Sequence, residues 1–453
     1  MASMLLDVFL TTNPDVEFIH WNYVDLAGLV GSRCVPKSIC RELAQQGTPS
    51  TLGSLSTIGL CSLNDLPSNF RTHGWDSLYP DWTSLRKLDT GHASVMCNVS
   101  EEASGHSDLV MESPFLRCSR SALQRAVHFA RNRLGAMIIA GFEVEFYLID
   151  AATAKDPSLF RRPTYTFLNG ACSLRGIYAE CAFECVKALQ QTGIVANVLH
   201  AIRGPQQFQI PLGALPVLKS VDTLMQAREI IRRAAIRRNM RAIFLPEPFK
   251  ELESCGLHAH LSFNQELGGH KAWNPYEGIE DSFMAGLLDH LPAITAFGMP
   301  CEYSYARVRA AAVGKWVAWG TGNRDTPVRR ISQNRWELRA IDATSNTYLT
   351  MAAYIAFGSL GAIARQKLRL QDTREFVDSL DTVTLRERRI DTQMPGSFRE
   401  ALTQLHREKG NENLSSVLGP QILDFYLAVK EGEIATLASM TERDREDMYF
   451  EIY

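Results

Sequence analysis

The chain has 453 residues, of which 45% are hydrophobic and 21% charged, and its formal net charge is -3. This balance is typical of a globular protein, and the length predicts two domains rather than a single core. Because the net charge is close to zero and basic residues are spread along the chain, nucleic acid and anionic membranes are disfavoured as partners.

Targeting and redox features are absent from the sequence pattern. No segment approaches the roughly 20 apolar residues that span a bilayer. The N-terminus lacks the basic start and small-residue cleavage site of a secretory signal. The ten cysteines form no Cys-x-x-Cys pair and no spacing typical of structural zinc. We therefore predict a cytoplasmic protein with reduced, mostly buried thiols.

The first hundred residues are predicted to form a small β-rich domain. VEFIHWNYVDLAGLVGSRCVP alternates in polarity and is punctuated by glycine, and HASVMCNVS has the pattern of a further strand. The pattern changes near residue 112, after which SALQRAVHFARNRLG carries apolar residues at helical spacing and Gly135 is expected to end the helix. The predicted domains are therefore residues 1–111 and 112–453.

Beyond this boundary, strands are predicted to alternate with helices. The predicted strands are IIAGFEVEFYLID, VANVLHAI, QQFQIPL, GLHAHLSF and RWELRAID. The predicted helices are YAECAFECVKALQQTG, VDTLMQAREIIRRAAIRR and FMAGLLDHLPAITAF. From Tyr348 onward the chain is predicted to be mainly helical, with a polar loop near 369–395. The basic stretch from Arg228 to Arg241 is interpreted as a solvated helix face, because it lacks aromatic residues for base stacking.

Three of the predicted strands carry a pair of polar residues on one face, since side chains two apart in a strand point the same way. The pairs are Glu143 with Glu145, His258 with His260, and Glu337 with Arg339. A single pair is more often a solvated face or a structural ion pair, but three together favour a shared site. If the strands lie in one sheet, the glutamates and His258 form an oxygen-rich cluster suited to Mg²⁺ or Mn²⁺.

A second group of candidates is cationic: Arg307 lies in SYARVR, and Arg324, Arg329 and Arg330 lie in GTGNRDTPVRR. Guanidinium groups bind phosphate and carboxylate oxygens in a bidentate manner, so arginines beside a divalent metal would indicate phosphoryl chemistry. Surface arginines on a loop explain the spacing equally well. No Walker loop, Gly-x-Gly-x-x-Gly or Gly-x-Ser-x-Gly motif follows a predicted strand, so phosphate binding would depend on metal and arginine.

These motifs resemble the glutamine synthetase superfamily, in particular its branch that ligates amines other than ammonia. The resemblance covers nearly the whole chain through VDLAGLVGSRCVP, SLYPDWTSLRKL, GFEVEFYL, GLHAHLSF, NRDTPVRR and RWELRAIDATSNTYLT. It implies an α+β fold, with a β-grasp-like N-terminal domain followed by a catalytic domain whose antiparallel-rich sheet, a half-barrel, is surrounded by helices. It also implies a homo-oligomeric ring with active sites between neighbouring subunits.

The resemblance further implies a role for each candidate residue. It implies ATP as cofactor, with Mg²⁺ or Mn²⁺, and Arg324 and Glu337 as catalytic residues. The implied sets are Glu143, His258 and Glu337 for the first metal; Glu145 for a second metal; His260, Ser262, Arg324 and Arg329 for the nucleotide; and Arg307, Arg339, Glu253 and Ser254 for the substrate.

The sequence also departs from the family pattern. Ile202 and Gln209 stand where two glutamates of the second metal site are expected, although Gln207 beside them keeps its match. A site left with Glu145 alone would hold its cation weakly, because hard divalent ions require several anionic oxygens. His200 and Glu180 are the alternatives considered as replacement ligands, and Glu180 is more simply explained as an exposed helix residue.

The substrate loop differs as well. Glu253 and Ser254 replace the usual Asn-Gly, Glu247 replaces the lysine of a Pro-Lys-Pro, and no counterpart is found for the glutamate that deprotonates ammonium. We therefore predict an ATP-dependent ligase that activates a glutamate-like or other acid as an acyl phosphate and transfers it to an amine other than ammonia. The alternatives are a catalytically inactive structural or regulatory family member, and an enzyme that has lost its use of ATP.

Overall fold

The computed structural model describes residues 2–47, 50–53, 75–102, 117–150, 152–153, 170–250, 252–265, 278–310 and 312–453. These residues contain two separate β-sheets, one of five strands and one of nine. The predicted boundary near residue 112 lies outside the described residues. The division into domains 1–111 and 112–453 therefore remains a prediction.

The first sheet lies in the N-terminal part of the chain. Its strands are β1 (Phe18–Val24), β2 (Val30–Pro36), β3 (Ser50–Gly53), β4 (Trp75–Asp89) and β5 (His92–Glu102), in the order β2-β1-β5-β4-β3. β1 pairs with β5 in parallel, and the other pairs are antiparallel. Two helices, α1 (Ala2–Thr12) and α2 (Lys37–Gln46), share an apolar cluster with the strands around the buried Trp21. The sequence reading, which predicted only strands and turns here, missed both helices.

The second sheet carries the three polar pairs. Its strands are β6 (Ala136–Asp150), β7 (His200–Ala201), β8 (Gln207–Pro211), β9 (Leu215–Pro216), β10 (Met240–Ile243), β11 (Leu257–Gln265), β12 (Trp319–Thr321), β13 (Val328–Ser332) and β14 (Arg335–Leu338). The order is β12-β13-β14-β11-β6-β8-β7, and β9 and β10 also pair with β6. Among the described strands of this sheet, only β12 and β13 pair in parallel. The antiparallel-rich sheet was predicted, but the strand expected in VANVLHAI is only two residues long.

Helices surround this second sheet. They are α3 (Ser119–Leu134), α4 (Ile177–Gln191), α5 (Val217–Arg237), α6 (Ile279–Asp289), α7 (Leu291–Gly298), α8 (Ala306–Arg309), α9 (Thr347–Ile363), α10 (Thr382–Glu387), α11 (Phe398–Arg407), α12 (Glu412–Leu418), α13 (Ile422–Ala438) and α14 (Glu442–Ile452). The α+β fold class is thereby confirmed. The C-terminal stretch is mainly helical as predicted, and α10 interrupts the expected polar loop.

Helix α9 is the central helix of this region, because it is buried along almost its whole length. It crosses α6 at a point where Gly361 faces Gly286. A Cβ on Gly361 would lie 2.7 Å from the Gly286 Cα atom, so the two backbones approach as closely as only glycine permits. The predicted end of α3 is also confirmed, since Gly135 takes a left-handed conformation there with φ 67°.

Polar contacts join the N-terminal region to helices α5 and α9. Asn346 caps α9 by accepting from the Leu349 backbone N–H at 3.1 Å, and its side-chain Nδ2 donates to the Asp25 carbonyl at 2.8 Å. On α5, Gln226 Nε2 donates to the Ser84 carbonyl at 2.8 Å and to Ser94 Oγ at 3.2 Å. The first sheet therefore packs directly on α5 and on the start of α9.

Two interpretations from the sequence can be compared with burial. All nine described cysteines are free, and seven of them are buried, in line with the predicted reduced thiols. The basic stretch of α5 is not simply a solvated face, because Arg228 is only 7% exposed. Among the described residues, no helix has the length and apolar character needed to cross a membrane.

Candidate functional site

The register of the second sheet brings the three polar pairs together. Strand β11 lies between β6 and β14, so that His258 is opposite Glu143 and His260 is opposite Glu337. Because β-strand side chains alternate, this register places both imidazoles on the face that carries the two carboxylates. The expectation that the three strands share a sheet is confirmed.

Glu143 accepts hydrogen bonds at both carboxylate oxygens. Its Oε1 lies 2.9 Å from His260 Nε2, and its Oε2 lies 3.3 Å from His258 Nδ1 and 2.5 Å from Gln209 Nε2. Burial acts to raise the pKa of Glu143, but the contacts with the two imidazoles outweigh it and hold the pKa well below its usual range. Glu143 is therefore a carboxylate at neutral pH.

Glu337 is 1% exposed and is surrounded by cations. Its Oε1 lies 2.7 Å from Arg339 Nη1 and 3.2 Å from His258 Nδ1, and its Oε2 lies 2.8 Å from Arg329 Nη1. Burial opposes ionisation, but His258 and Arg339 hold the pKa of Glu337 well below its usual range. Burial and Arg339 lower the pKa of His258, yet its contacts with Glu143 and Glu337 prevail and raise it.

A divalent cation fits this cluster by its donor set. One ligand atom each from Glu143, His260 and Glu337 lies within 4.8 Å of the other two. Two carboxylates with an imidazole suit Mn²⁺ or Mg²⁺. The resemblance implies His258 as the imidazole ligand, and its Nδ1 lies 3.3 Å from Glu143 Oε2 and 3.2 Å from Glu337 Oε1, so that role stays a prediction beside the one for His260. The sequence reading did not assign His260 to the metal.

The region predicted for a second metal is closed by hydrogen bonds. Glu145 is 8% exposed, and its Oε2 accepts from the Gly256 backbone N–H at 2.6 Å. Gln209 lies opposite Glu145 in the sheet and, besides donating to Glu143, contacts His200 Nε2 at 3.0 Å. Within the described chain, Glu145 and His200 do not belong to a group of three or more histidine, cysteine or carboxylate ligand atoms. The side-chain amide of Gln209 therefore meets Glu143 where the family pattern expects a carboxylate.

Three more residues bear on the predicted second metal site. Ile202 lies just beyond β7, and its backbone N–H donates to the Gln207 carbonyl at 3.0 Å. Gln207 is buried and donates to the Ser254 carbonyl at 3.0 Å, which fixes the substrate loop. Glu180 is exposed on α4, as its simpler interpretation expected.

The predicted arginines differ in their surroundings. Arg324 is exposed, and its side chain has no hydrogen-bond or ion-pair partner in the described part of the chain. Arg329 neutralises Glu337, while Arg330 lies over the Trp336 ring, 5.2 Å from its centroid. Arg330 therefore points away from the cluster, and Arg324 and Arg329 remain the candidates for phosphate.

Arg307 is 1% exposed and donates to two backbone carbonyls, those of Ile341 at 2.7 Å and Arg339 at 3.0 Å. Its guanidinium supports the segment that follows β14 and is not brought to the exposed part of the site. The substrate contact implied for Arg307 stays a prediction, and these two hydrogen bonds fix the position of its guanidinium. Arg339, which also donates to the Ala312 carbonyl at 2.9 Å, lies against Glu337.

The substrate loop presents one carboxylate to solvent. Glu253 is exposed, while its backbone carbonyl is held by the Tyr147 hydroxyl at 2.8 Å. Ser254 is half-buried, and so is Ser262, which lies opposite Arg335 in the sheet. The loop backbone is thus fixed and the Glu253 side chain is accessible.

The sequence reading missed one contact at the site. Arg335 Nη2 lies 3.4 Å from His260 Nδ1. The strand period that grouped Glu337 with Arg339 also places Arg335 on that face, so extending the same pattern by two residues would have found it. The sequence pattern identifies Gln209 only as a departure from an expected ligand, because its hydrogen bond to Glu143 depends on the pairing of β6 with β8.

Comparisons with known proteins agree on one family. A family model described as "Glutamine synthetase, catalytic domain" matches residues 116–449. The chain is 28% identical to "Protein fluG" of Emericella nidulans over 99% of its own length and 50% of that protein, so it spans half of this relative. It is 26% identical to "Gamma-glutamylpolyamine synthetase GlnA3" of Streptomyces coelicolor, over 95% of this chain and 92% of that one.

Solved structures show the same likeness. A protein described as "Crystal structure of novel glutamine synthase homolog" is 25% identical, with a TM-score of 0.77, and the match covers 97% of this chain and 99% of that chain.

Proposed function

The chain belongs to the glutamine synthetase family, and from this membership we propose that it is an ATP-dependent ligase that joins a carboxylic acid to an amine. The membership confirms the predicted family and the predicted enzyme class, a carbon-nitrogen ligase. The observation that carries the proposal is the register that gathers Glu143, both histidines and Glu337 on one sheet face beside Arg329.

Enzymes of this family use ATP and a divalent metal. In this chain Glu143, His260 and Glu337, with His258 between the carboxylates, would hold the cation. A metal bound there would neutralise charge on the phosphates and polarise them for transfer. The second region, where Glu145 accepts from Gly256, is proposed to bind a cation weakly.

The proposed reaction has two steps. A carboxylate oxygen of the acid attacks the γ-phosphorus of ATP, which forms an acyl phosphate and releases ADP. The amine nitrogen then attacks the acyl carbon, phosphate leaves, and the nitrogen loses a proton. Catalysis of the first step would be mainly electrostatic, since exposed Arg324 can bind an incoming phosphate and Arg329 lies beside Glu337, where it can bind another phosphate oxygen.

The amine is proposed to be cationic and larger than ammonia. Glu253 offers an exposed carboxylate on a fixed loop, which suits a substrate with a second ammonium group. The Streptomyces coelicolor relative is named as a gamma-glutamylpolyamine synthetase, which supports a glutamate-like acid and a polyamine. Ser254 beside Glu253, together with Arg339, is proposed to line the substrate region.

Membership of the family also supports proposals about the substrates, the assembly and the location of the protein. The substrates are small molecules, and we propose a homo-oligomeric ring with active sites between neighbouring subunits and a cytoplasmic location. The nucleotide is proposed to contact His260, Ser262 and the two phosphate-binding arginines. No role in binding nucleic acid or membranes is proposed.

The first test is calorimetric titration with a non-hydrolysable ATP analogue, with and without Mg²⁺. We expect binding that requires the metal and that Glu337→Ala abolishes, because the variant removes a carboxylate from the cation site. The matched control is Glu180→Ala, which removes an exposed helix carboxylate and should bind as the wild type does. Absence of binding in both metal conditions would refute an ATP-dependent ligase.

The second test follows phosphate release from ATP with glutamate and a series of amines. We expect polyamines to support turnover and ammonia to support little. Binding of the analogue without phosphate release for any amine would favour a catalytically inactive family member. Release with ammonia alone would show that Glu253 does not select the amine.

A further inference from the structure

A cavity of about 320 Å³ lies where the first sheet meets α5 and the end of α14. Its lining does not include the carboxylate cluster, which consists of Glu143, Glu337, His258 and His260. One wall is formed by β1, β2 and the turn between them, and the opposite wall is formed by α5. Two arginines of α5, Arg228 and Arg232, line it. These are the basic residues that the sequence pattern interpreted as a solvated face.

Arg228 is a buried cation with incomplete hydrogen bonding. Its Nη2 donates to the Ala343 carbonyl at 2.7 Å, but its Nε is buried without a partner among the described residues. Burial and the neighbouring Arg232 lower the pKa of Arg228 to about 9. A guanidinium held in this way retains hydrogen-bonding capacity and positive charge that the protein does not satisfy.

Arg232 adds a second positive charge one helical turn further along. Both guanidinium groups lie over the Phe244 ring, at 5.4 Å for Arg228 and 4.9 Å for Arg232. Like charges four residues apart on a helix repel each other. Burial lowers the pKa of Arg232 as well. The ring offers some compensation, but it supplies no negative charge.

The carboxylates near the two arginines have other partners. Glu229, which also lines the cavity, contacts Arg233 Nε at 2.7 Å on the same helix. Asp342 accepts from the Thr344 backbone N–H at 2.9 Å and from its hydroxyl at 2.6 Å. Glu229, Asp342 and Tyr453 act against the lowering of the two pKa values, but among the described residues no carboxylate forms a direct ion pair with Arg228 or Arg232, so neither guanidinium has an anion in contact with it.

The rest of the lining is mixed. His20, Asn22 and Ser32 of the first sheet contribute polar groups, and Leu29, Met225 and Ile452 contribute apolar ones. A volume of about 320 Å³ exceeds what a lone inorganic anion requires and matches the lower end of ligand pockets. The lining therefore suits a small organic molecule with one anionic end and a short apolar part.

We propose that this cavity binds a small organic anion through a carboxylate or phosphate group held by Arg228 and Arg232. Guanidinium groups bind both kinds of oxyanion in a bidentate manner, so the shared chemistry is an anionic group with at least two oxygens. The anion supplies the charge and the hydrogen-bond acceptors that the two arginines lack. The cavity is separate from the carboxylate cluster, and the proposal does not depend on the ligase activity.

The test is calorimetric titration of the full chain with two probes in separate experiments, succinate for carboxylates and glycerol 3-phosphate for phosphates. We expect at least one probe to bind, and Arg232→Gln to weaken it by about tenfold or more, since a charge-assisted bidentate contact is lost. Arg232→Lys, which keeps the charge but not the fork, should lie between the two. Arg232 is only half-buried, so these variants are expected to fold, and thermal unfolding checks this.

Arg237→Gln is the matched control, because it changes another arginine of α5 that is outside the lining and pairs with Asp89 at 3.4 Å, so that Glu229 keeps its contact with Arg233. It should bind the probe as tightly as the wild type does. The probe that binds more tightly identifies the anionic group. The proposal would be overturned if neither probe bound, or if the wild type and Arg232→Gln bound the probe with equal affinity. Equal affinity is also what a probe that binds only at the carboxylate cluster would give.

Discussion

The carboxylate cluster of the second sheet and the cavity beside the first sheet differ in how their buried charges are paired. In the cluster, both oxygens of Glu143 and both oxygens of Glu337 accept hydrogen bonds from imidazole, guanidinium or amide groups. In the cavity, Arg228 and Arg232 have no carboxylate ion-pair partner among the residues described.

This difference bears on what each region can bind. A cation entering the cluster has to replace contacts that His258, Arg329 and Arg339 already make with the carboxylates. An anion entering the cavity would displace no direct ion pair of Arg228 or Arg232 among the described residues, and it would offer acceptors to the two guanidinium groups. The cluster is therefore expected to be stable without a ligand, whereas the cavity is expected to gain stability from one.

The largest expected difference between the two regions is in folding stability. Glu337→Gln keeps the shape of the side chain but leaves two arginines and His258 without their carboxylate, so we expect a loss of about 3–5 kcal/mol. Arg228→Met removes a buried cation that lacks an anion, so we expect a change within about 1 kcal/mol or a gain. Denaturant unfolding at neutral pH without metal measures both.

Similar losses of folding stability in Glu337→Gln and Arg228→Met would contradict the expected difference between the two regions. They would mean that Arg228 has a stabilising partner that its contacts with Ala343 and Phe244 do not explain. Glu180→Gln, on the exposed face of α4, serves as the control for removing a carboxylate without burial.

The pH dependence of folding stability tests the buried charge of Asp25, whose side chain accepts from the backbone N–H of Leu29, a residue that lines the cavity. Burial raises the pKa of Asp25 from 3.8 to about 7, although the Leu29 backbone N–H and Lys430 act against it. Between these values the unfolded chain releases a proton that the folded chain keeps, so stability falls as pH rises from about 4 to 7. Above pH 7 this contribution is constant.

Asp25→Asn should remove this decline, because the amide does not titrate while its oxygen can still accept from Leu29. We expect the variant to gain up to about 4 kcal/mol relative to the wild type between pH 4 and pH 7.5, at 1.36 kcal/mol per pKa unit. Thermal unfolding at the two pH values measures the gain. Parallel pH profiles for the two proteins would exclude a raised pKa at Asp25.

The smallest expected effect concerns Gln209. Gln209→Glu replaces the amide that donates to Glu143 with a second carboxylate, so we expect a loss of about 2 kcal/mol without metal. Mn²⁺ should restore the stability, because the new carboxylate adds an anionic ligand near Glu143 and Glu145. Melting temperatures with and without Mn²⁺ check this.

Gln190→Glu, which adds the same charge on the exposed face of α4, is the control for the Gln209 variant. Its melting temperature should respond to Mn²⁺ as the wild type does. If Mn²⁺ fails to recover Gln209→Glu, then the region around Glu145 does not bind a second cation even when an anionic ligand is supplied.

Local periodicity was enough to predict most of the cluster, whereas the fold class was implied by the resemblance of the motifs to a family. The period of two in β6, β11 and β14 placed each polar pair on one face, and the order of the motifs identified the family. These features survive in a single sequence because strand alternation and motif spacing depend on neighbouring residues. The end of α3 at Gly135 was predictable for the same reason, because glycine ends a helix through its own local backbone conformation.

The tertiary structure decided the environment of each charged group. The basic pattern placed Arg228 on a solvated face, but Arg228 is buried. The spacing of Arg307 did not reveal that its guanidinium donates to two backbone carbonyls, and Gln209 meets Glu143 only because β8 pairs with β6. Burial and cross-strand register depend on segments far apart in the chain, so residue spacing does not contain them. The sequence thus determined which chemical groups the protein has, and the packing of the two sheets determined which of their charges are balanced.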